Sequence, residues 1–432
     1  MRGQGSSLER NATALVASTS ISGLLGVLFW GLATHIFTPA AVGLASAEIS
    51  AMILLGSFAQ LSLTSVFPRF LPVAGPHVRR FVVLGYLAAV PMAFLLATVF
   101  VAVGLGRSFL GLSALSSAGF VAAVMCWTVF TIQDAALVGL MSAVWVPVEN
   151  ISFSIAKLAL LPLLAGLASG AGIFAAWTLP VIAASIPVNY FIFAKLIPSQ
   201  SARKSGNGEL PARRALTTFL AGEYLGGLAQ TAAYLLLPLI VVARLGAAAN
   251  AYFYLSWIAV GLLNEVLANI ATPFVVESAS APTRTPAYAR RMLKLGAAVV
   301  LPVSLLLVFG APYLLRFFGP AYAAHASTLL RLIGVAVPLR AVLVIYLAYA
   351  RLARQVQRIV AVQVINAILV LSLSIILLSY GVSGVGVAYL ATQAVMAACV
   401  IPSVVRHLRV QMSAIETTAS GEEHAADTPL PD

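Results

Sequence analysis

Twelve runs of about 20 mostly apolar residues follow one another along the 432-residue chain, and no other feature constrains its fold as strongly. One such run spans the hydrocarbon core of a bilayer as a helix, with every backbone hydrogen bond made inside the segment. The pattern therefore predicts an all-α polytopic membrane protein. The predicted spans are Ala12–Ile36, Gly43–Phe67, Phe81–Leu105, Leu112–Gly139, Val148–Ala168, Ile173–Ala194, Ala215–Val242, Ala251–Pro273, Leu295–Leu315, Ser327–Ala350, Ile359–Leu378 and Gly384–Val405.

The scarcity of charge excludes most classes of soluble protein. Only 9% of the residues are charged and 61% are hydrophobic, whereas a soluble domain carries roughly 25% charged residues. The formal net charge is +12, but the apolar runs leave no polar domain on which a nucleic acid could bind. The sequence therefore predicts a protein embedded in the lipid bilayer, with no nucleic-acid partner.

The distribution of Lys and Arg predicts the orientation in the membrane, because short cytoplasmic loops carry an excess of these residues. With the N-terminus inside, the inner segments hold 19 of the 25 Lys and Arg residues and the outer loops hold three. The remaining three, Lys157, Arg331 and Arg340, lie within spans. We therefore expect a multi-pass protein of the cell (cytoplasmic) membrane with both termini cytoplasmic.

A polar segment divides the spans into two sets of six. It contains the sequence PSQSARKSGNGELPARR, which is typical of a flexible linker. We predict an N-terminal six-helix lobe over residues 1–195, a cytoplasmic linker over 196–214 and a C-terminal six-helix lobe over 215–406. Two such lobes would be parallel repeats about an axis along the membrane normal. The polar, acidic residues 407–432 predict a disordered cytoplasmic tail.

Charged residues inside spans are costly and indicate function. Residues equidistant from a hairpin turn lie at the same depth, and Asp134 and Lys157 are equidistant from a turn placed at Trp145–Val146. They are therefore predicted to meet in the inner half of the membrane. Two interpretations are open: an ion pair that fixes the hairpin, or a cation exposed to a central cavity beside an acid.

A second group of charges is predicted in the C-terminal half. Glu223 and Glu265 are equidistant from a turn near Arg244–Asn250, and Arg340 lies at a comparable depth. Arg340 can pair with only one of these two acids, so the other carboxylate could couple proton movement to transport. The alternatives are that the group forms a structural salt bridge or lines a solvated cleft. Arg331 points to the opposite face of its helix and lies near the outer surface, so Arg340 is the better candidate for binding a ligand.

No catalytic constellation is present. The sequence has no phosphate-binding Gly-rich loop with Lys, no paired Asp motif for a divalent metal and no His cluster. The outer loops are short, and Cys126 and Cys399 lie far apart in apolar runs. The chain is therefore predicted to have no catalytic residue, metal or cofactor, and not to be an enzyme.

Short motifs at the hairpins carry a family resemblance. They are Gln133–Leu140 (QDAALVGL), Trp145–Asn150 (WVPVEN), Lys157-Leu158, Leu237-Pro238, Leu245-Gly246, Asn250–Tyr254 (NAYFY) and Gly319–Leu332 (GPAYAAHASTLLRL). In this order they resemble the polysaccharide-biosynthesis flippases of the multidrug/oligosaccharidyl-lipid/polysaccharide exporter superfamily, over nearly the whole chain. The turn Met141-Ser142 departs from the pattern, because relatives often carry basic residues there.

The resemblance implies two six-helix lobes around a central cavity. It also implies a transporter that moves a lipid-linked oligosaccharide or polysaccharide precursor, on an undecaprenyl-type pyrophosphate, across the cytoplasmic membrane by alternating access. Arg340 and Lys157, one in each lobe, are then the expected substrate-binding cations, and Glu223, Glu265 and Asp134 the expected coupling or pairing acids. Glycan-assembly enzymes are the expected partners.

Three other functions stay open at this point. A drug or metabolite/cation antiporter of the same superfamily would bind its cationic substrate through Glu223 and Glu265. An integral-membrane glycan polymerase or ligase would need catalytic outer loops, which the chain lacks. A membrane scaffold would need a cationic partner surface without a gated cavity.

Overall fold

The computed structural model of the chain describes residues 21–111, 113–167, 170–202 and 213–426, and their side chains except for 202, 213–225 and 409–426. Within these residues the chain forms helices and no strand. Eleven helices of the described part are long and apolar enough to cross a membrane, and the shorter apolar helix Ile21–Ile36 precedes them. The predicted all-α polytopic class is confirmed.

The helices are named α1 to α14 in chain order. They are α1 (Ile21–Ile36), α2 (Pro39–Ala59), α3 (Leu63–Phe70), α4 (Val78–Ala102), α5 (Ala114–Gly139), α6 (Trp145–Leu163), α7 (Ala171–Phe191), α8 (Ile197–Ala202), α9 (Arg213–Leu245), α10 (Ala247–Ser280), α11 (Thr285–Arg316), α12 (Pro320–Leu352), α13 (Val356–Leu377) and α14 (Val382–Ala426). Helices α2 and α3 together correspond to the second predicted span. The first predicted span begins at Ala12, outside the described residues.

We name the two ends of the bundle by the predicted orientation, which stays a prediction. The inner end carries the connections 71–77, 140–144, 281–284 and 353–355. The outer end carries the connections 37–38, 103–113, 164–170, 246, 317–319 and 378–381.

Local signals define the ends of several helices. The hydroxyl of Thr38 accepts a hydrogen bond from the backbone N–H of Ala41 and Pro39 occupies the first turn of α2, as expected for an N-cap followed by proline. Gly246 alone connects α9 to α10 with a φ of 88°, a conformation that glycine adopts without a steric penalty. The outer connections between these helices are therefore short and fixed by sequence.

The second span is not continuous, in contrast to the predicted run Gly43–Phe67. Helix α2 ends at Ala59, Leu61 and Ser62 adopt φ values of 50° and 61°, and α3 begins at Leu63. Left-handed backbone costs such residues roughly 1–2 kcal/mol each. The packing of α3 against α5 accompanies this break, since a Cβ atom on Gly139 would lie 2.4 Å from the carbonyl oxygen of Phe67.

The helices pack mainly within two sets. Helices α2 to α7 contact one another, as do α9 to α14, and α2 joins the sets through contacts with α9 and α10. One apolar cluster lies wholly in the second set, and another combines Phe29 and Trp30 of α1 with Tyr254 and Tyr322 of the second set. The predicted boundary between two lobes is not tested by these contacts. Part of the predicted linker, residues 197–202, forms α8, and residues 203–212 lie outside the described part.

The C-terminal segment differs from its prediction. Residues 407–426, predicted to be disordered, continue α14 in the structure. The segment is rich in Ala and Glu and contains no proline between Pro402 and Pro429, a composition compatible with helix. Residues 427–432 of the predicted tail lie outside the described residues.

Candidate functional site

The two helix sets meet at the outer end through an unusually close contact between α2 and α10. The side-chain N–H of Asn250 donates to the carbonyl oxygen of Gly43 at 2.8 Å and to the hydroxyl of Ser46 at 3.1 Å, and all three residues are buried. A Cβ atom on Gly43 would lie 1.7 Å from the carbonyl oxygen of Ala247. We call Gly43, Ser46, Ala247 and Asn250 the outer seal, because no side chain fits between these backbones.

Below the outer seal, one face of α10 is exposed although it carries polar side chains. Its exposed residues Leu262, Glu265, Asn269 and Thr272 recur at three- and four-residue steps and so share one face, here called the α10 stripe, on which Val266, Pro273 and Val276 are also exposed. A Cβ atom on Gly23 of α1 would lie 3.3 Å from Leu262, so α1 stands opposite the start of this face. The stripe is thus an exposed face on which polar and apolar side chains alternate.

Arg340 is buried within the second helix set. It is 7% exposed, and its Nε–H donates to the side-chain oxygen of Asn264 at 2.9 Å. Tyr389 of α14 also interacts electrostatically with its guanidinium. Arg340 therefore ties α12 to α10 and α14.

The acids predicted beside Arg340 are placed differently. Glu265 follows Asn264 on α10 but is exposed on the stripe, and no ion pair joins it to Arg340. Glu223 lies in α9, where its side chain is outside the described residues. The predicted grouping of Arg340 with Glu265 as an ion pair is therefore absent from the structure, and the pairing with Glu223 stays a prediction.

Lys157 lies in an aromatic cage. Its Nζ is 3.9 Å from the ring centroid of Trp177, 4.7 Å from that of Phe153 and 5.4 Å from that of Phe29, and the residue is 4% exposed. Cation–π attraction is strongest with Trp and increases when the cation is desolvated. Lys157 is thus held by rings from α1, α6 and α7 rather than exposed to a cavity.

The predicted meeting of Asp134 with Lys157 is wrong. Asp134 instead accepts a hydrogen bond from the side-chain N–H of Asn150 at 3.0 Å, and Gln133 donates to Glu149. Both contacts join residues 16 apart, which centres the hairpin on residues 141–142. The turn is therefore about four residues earlier than the predicted one, and α6 already begins at Trp145.

Around Asp134 and Glu149 lies a polar network that the sequence interpretation missed. The side-chain N–H of Asn189 on α7 donates to the side-chain oxygen of Gln133, and the Tyr86 hydroxyl on α4 donates to the oxygen of Asn189 at 2.8 Å. A turn at Met141-Ser142 puts Glu149 level with Asp134. The position of the turn is therefore the sequence signal for this network.

A basic cavity opens at the inner end, at the start of α11. It is an open depression of about 490 Å³ on the surface of this one helix, and its lining residues Ala287, Arg290, Arg291, Lys294 and Leu295 are all exposed. Arg291 also lies 3.8 Å from Glu277 of α10. Cationic and apolar side chains thus meet at the depth of the predicted inner leaflet, beside the helix that carries the stripe.

Comparison with known proteins establishes the fold. No protein-family profile matches the chain, and no curated protein matches its sequence. An inward-facing multidrug resistance MATE family transporter of the MOP superfamily is 16% identical, with a TM-score of 0.64 over 92% of this chain and 96% of that one. The chain has the fold of this transporter.

Two further solved structures share the fold. A MOP superfamily transporter from Pyrococcus furiosus is 15% identical, with a TM-score of 0.63 over 93% of this chain and 95% of that one. The lipid II flippase MurJ in an inward closed conformation is 14% identical, with a TM-score of 0.62 over 96% of this chain and 93% of that one. Multidrug transporters and a lipid flippase are thus both among the proteins of this fold.

Proposed function

We propose that the protein is a membrane transporter of the multidrug/oligosaccharidyl-lipid/polysaccharide exporter superfamily that works by alternating access. Its two six-helix lobes, residues 1–195 and 215–406, lie in the cytoplasmic membrane with both termini inside. The outer seal supports this proposal, because it closes the contact between α2 and α10 at one end, whereas Glu265, Asn269 and Thr272 of the stripe are exposed nearer the other end.

The substrate we propose is a lipid-linked oligosaccharide or polysaccharide precursor on an undecaprenyl-type pyrophosphate. The observation that carries this choice is the basic cavity of Arg290, Arg291 and Lys294 with apolar Leu295 at its edge. An anionic pyrophosphate at the inner leaflet would meet these cations while its lipid stayed in the bilayer. Glycan-assembly enzymes would then deliver the substrate to this side.

In this proposal, the substrate reaches Arg340 and Lys157 only after a change of conformation. Both are more than nine-tenths buried in the conformation described. The substrate could therefore contact Arg340 only if α10 moved away from this residue. It could contact Lys157 only if the aromatic cage opened.

Flipping in proteoliposomes tests the proposal. A fluorescent undecaprenyl-pyrophosphate oligosaccharide is reconstituted with the full chain, and its transfer between leaflets is followed by chemical quenching from outside. The triple variant R290Q/R291Q/K294Q removes the basic cavity. At about 1 kcal/mol per cation near an anionic surface, it should lower transfer at limiting substrate by on the order of 100-fold.

A matched control separates recognition from general surface charge. The triple variant R351Q/R354Q/R358Q removes the same number of charges at the inner end, between α12 and α13. We expect it to retain most of the activity. Equal losses in both variants, or no transfer by the unmodified protein, would contradict the proposed substrate.

A second function is favoured by Glu265. This acid is exposed on the α10 stripe, whereas Arg340 and Lys157 are buried, so the stripe suits a cationic drug or metabolite exchanged for an ion. Ethidium efflux from the same vesicles, abolished by Glu265→Gln, would support the antiporter. Efflux absent from the unmodified protein would exclude ethidium as its substrate and leave the flippase proposal.

A further inference from the structure

The carboxyl groups of Asp134 and Glu149 lie next to each other at the inner end of the α5–α6 hairpin. Each interacts with the other. One oxygen of each group already accepts an amide N–H, from Asn150 in the first case and from Gln133 in the second. The second oxygen of each carboxyl group accepts neither of these two N–H groups.

The orientation of the surrounding amides is fixed by a chain of donors that ends at Glu149. Tyr86 donates to Asn189, Asn189 donates to Gln133, and Gln133 donates to Glu149. Tyr86 has one hydroxyl proton, and it is used on Asn189. Within this network, no hydrogen bond reaches the second oxygen of Glu149.

The two remaining oxygens, Oδ1 of Asp134 and Oε2 of Glu149, are buried and have no hydrogen-bond partner. Glu149 itself is 5% exposed. Two ionised carboxylates in contact repel each other strongly away from water, and a buried acceptor without a donor costs further free energy. One proton between the two oxygens removes both penalties, because it neutralises one charge and serves as the donor.

We propose that Asp134 and Glu149 form a proton-binding site in which one proton is shared between Oδ1 and Oε2. The titratable side chain that faces the pair from a neighbouring helix in the described part is Tyr86 of α4. The other contacts, from α5, α6 and α7, are the neutral amides of Gln133, Asn150 and Asn189. The site is separate from Arg340 and from the α10 stripe.

A proton is the occupant that fits the local chemistry. Metal cations of the alkali and alkaline-earth groups need several oxygen ligands, whereas two of the four carboxylate oxygens here already accept amide N–H groups. Within the described residues, no group of three or more His, Cys, Asp or Glu side chains could hold a metal ion. A shared proton needs only one oxygen from each of the two interacting carboxyl groups.

The break in the second span gives the site access to water. A cleft of about 350 Å³ lies between α2, α3 and α5, and Gln60, Thr64, Thr131 and Asp134 line it. The left-handed residues Leu61 and Ser62 separate α2 from α3 at this level. A proton can therefore exchange at Asp134 from the inner end, along hydroxyl and amide side chains, while Glu149 stays buried.

Infrared spectroscopy of the purified full chain in nanodiscs tests the site without any transported substrate. A protonated carboxyl group has a C=O stretching band that a carboxylate lacks and that shifts in heavy water. We expect this band at neutral pH in the unmodified protein and its loss on an alkaline jump. Asp134→Asn and Glu149→Gln should each remove this C=O band, at the same position in both cases. Each variant leaves a single carboxylate beside an amide donor, so no carboxyl proton is needed.

Glu265→Gln provides the matched control, since it removes an exposed carboxylate from another helix and should leave the band intact. A band unchanged in both pair variants would overturn the proposal, as would the absence of any such band in the unmodified protein. Loss of the band on adding sodium or lithium ions would also overturn it, in favour of a cation site. None of these outcomes depends on whether the protein flips lipid or exports a drug.

Discussion

Replacing Gly43 by alanine should open the outer seal. The new Cβ atom would lie 1.7 Å from the carbonyl oxygen of Ala247 and 3.0 Å from the backbone N of Ala251. Since ordinary contact begins at 3.4 Å, α2 and α10 must separate by about 1.7 Å or another part of the contact must deform. Neighbouring backbone cannot rotate away as a side chain can.

The magnitude follows from the packing. Overfilling a close contact costs about 1–3 kcal/mol, and separation also lengthens the 2.8 Å hydrogen bond from Asn250 to the Gly43 carbonyl. The penalty applies only to the sealed conformation, so the ratio of open to sealed molecules should rise roughly 5- to 150-fold.

Electron–electron distance measurements between spin labels provide the assay. Ser108→Cys in the outer connection between α4 and α5 and Tyr380→Cys between α13 and α14 carry the labels, after replacement of Cys126 and Cys399. We expect Gly43→Ala to add a longer-distance component to the distribution.

The control is Gly26→Ala on α1, whose new Cβ would contact no heavy atom within 4 Å. It should leave the distances unchanged. If Gly43→Ala folds normally and gives the same distribution as Gly26→Ala, the α2–α10 contact does not hold the outer end closed.

Three further changes test individual contacts by thermal unfolding. Lys157→Met keeps apolar contact with the cage and removes a buried charge, so stability should stay within about 1 kcal/mol or rise; a large loss would show that the ammonium itself holds the cage. Arg340→Ala leaves the Asn264 oxygen without its donor and should cost about 1–3 kcal/mol, and adding Asn264→Ala should then cost less than it does alone. Ser62→Gly relieves left-handed strain and should stabilise by about 1 kcal/mol, whereas a loss would show that the Ser62 side chain matters more than its backbone.

Much of the fold could be predicted because spanning helices are defined locally. Length and hydropathy alone place each helix, whichever partners it packs against. The interruption of the second span could not be predicted, since Leu61 and Ser62 are residue types that occur inside helices. Their left-handed conformation accompanies the contact between α3 and Gly139, which no local pattern contains.

The candidate site was less predictable because it depends on register. Misplacing the turn by about four residues changes the residue that faces a given position by seven or eight, which is roughly 10–12 Å along the helix. With the hairpin centred on residue 142, Asp134 is level with Asn150, and Lys157 is level with Trp127. Trp127 packs against Phe153 and Trp177 of the Lys157 cage. In the observed register, Asp134 and Lys157 therefore belong to two separate sites.

Helix α10 links the outer seal to the α10 stripe mechanically. Asn250 lies at one end of the helix, and Asn269 is exposed on the stripe 19 residues later, about 28 Å along the axis. Between them, a Cβ atom on Gly261 would lie 2.6 Å from the hydroxyl oxygen of Tyr234, so α10 is held closely against α9 at this point. If α10 pivots at this contact, Asn269 moves in the direction opposite to Asn250, because the two residues lie on opposite sides of Gly261. Opening the outer seal by about 1.7 Å would then displace Asn269 by about 1 Å, because Asn269 lies eight residues from Gly261 and Asn250 lies eleven.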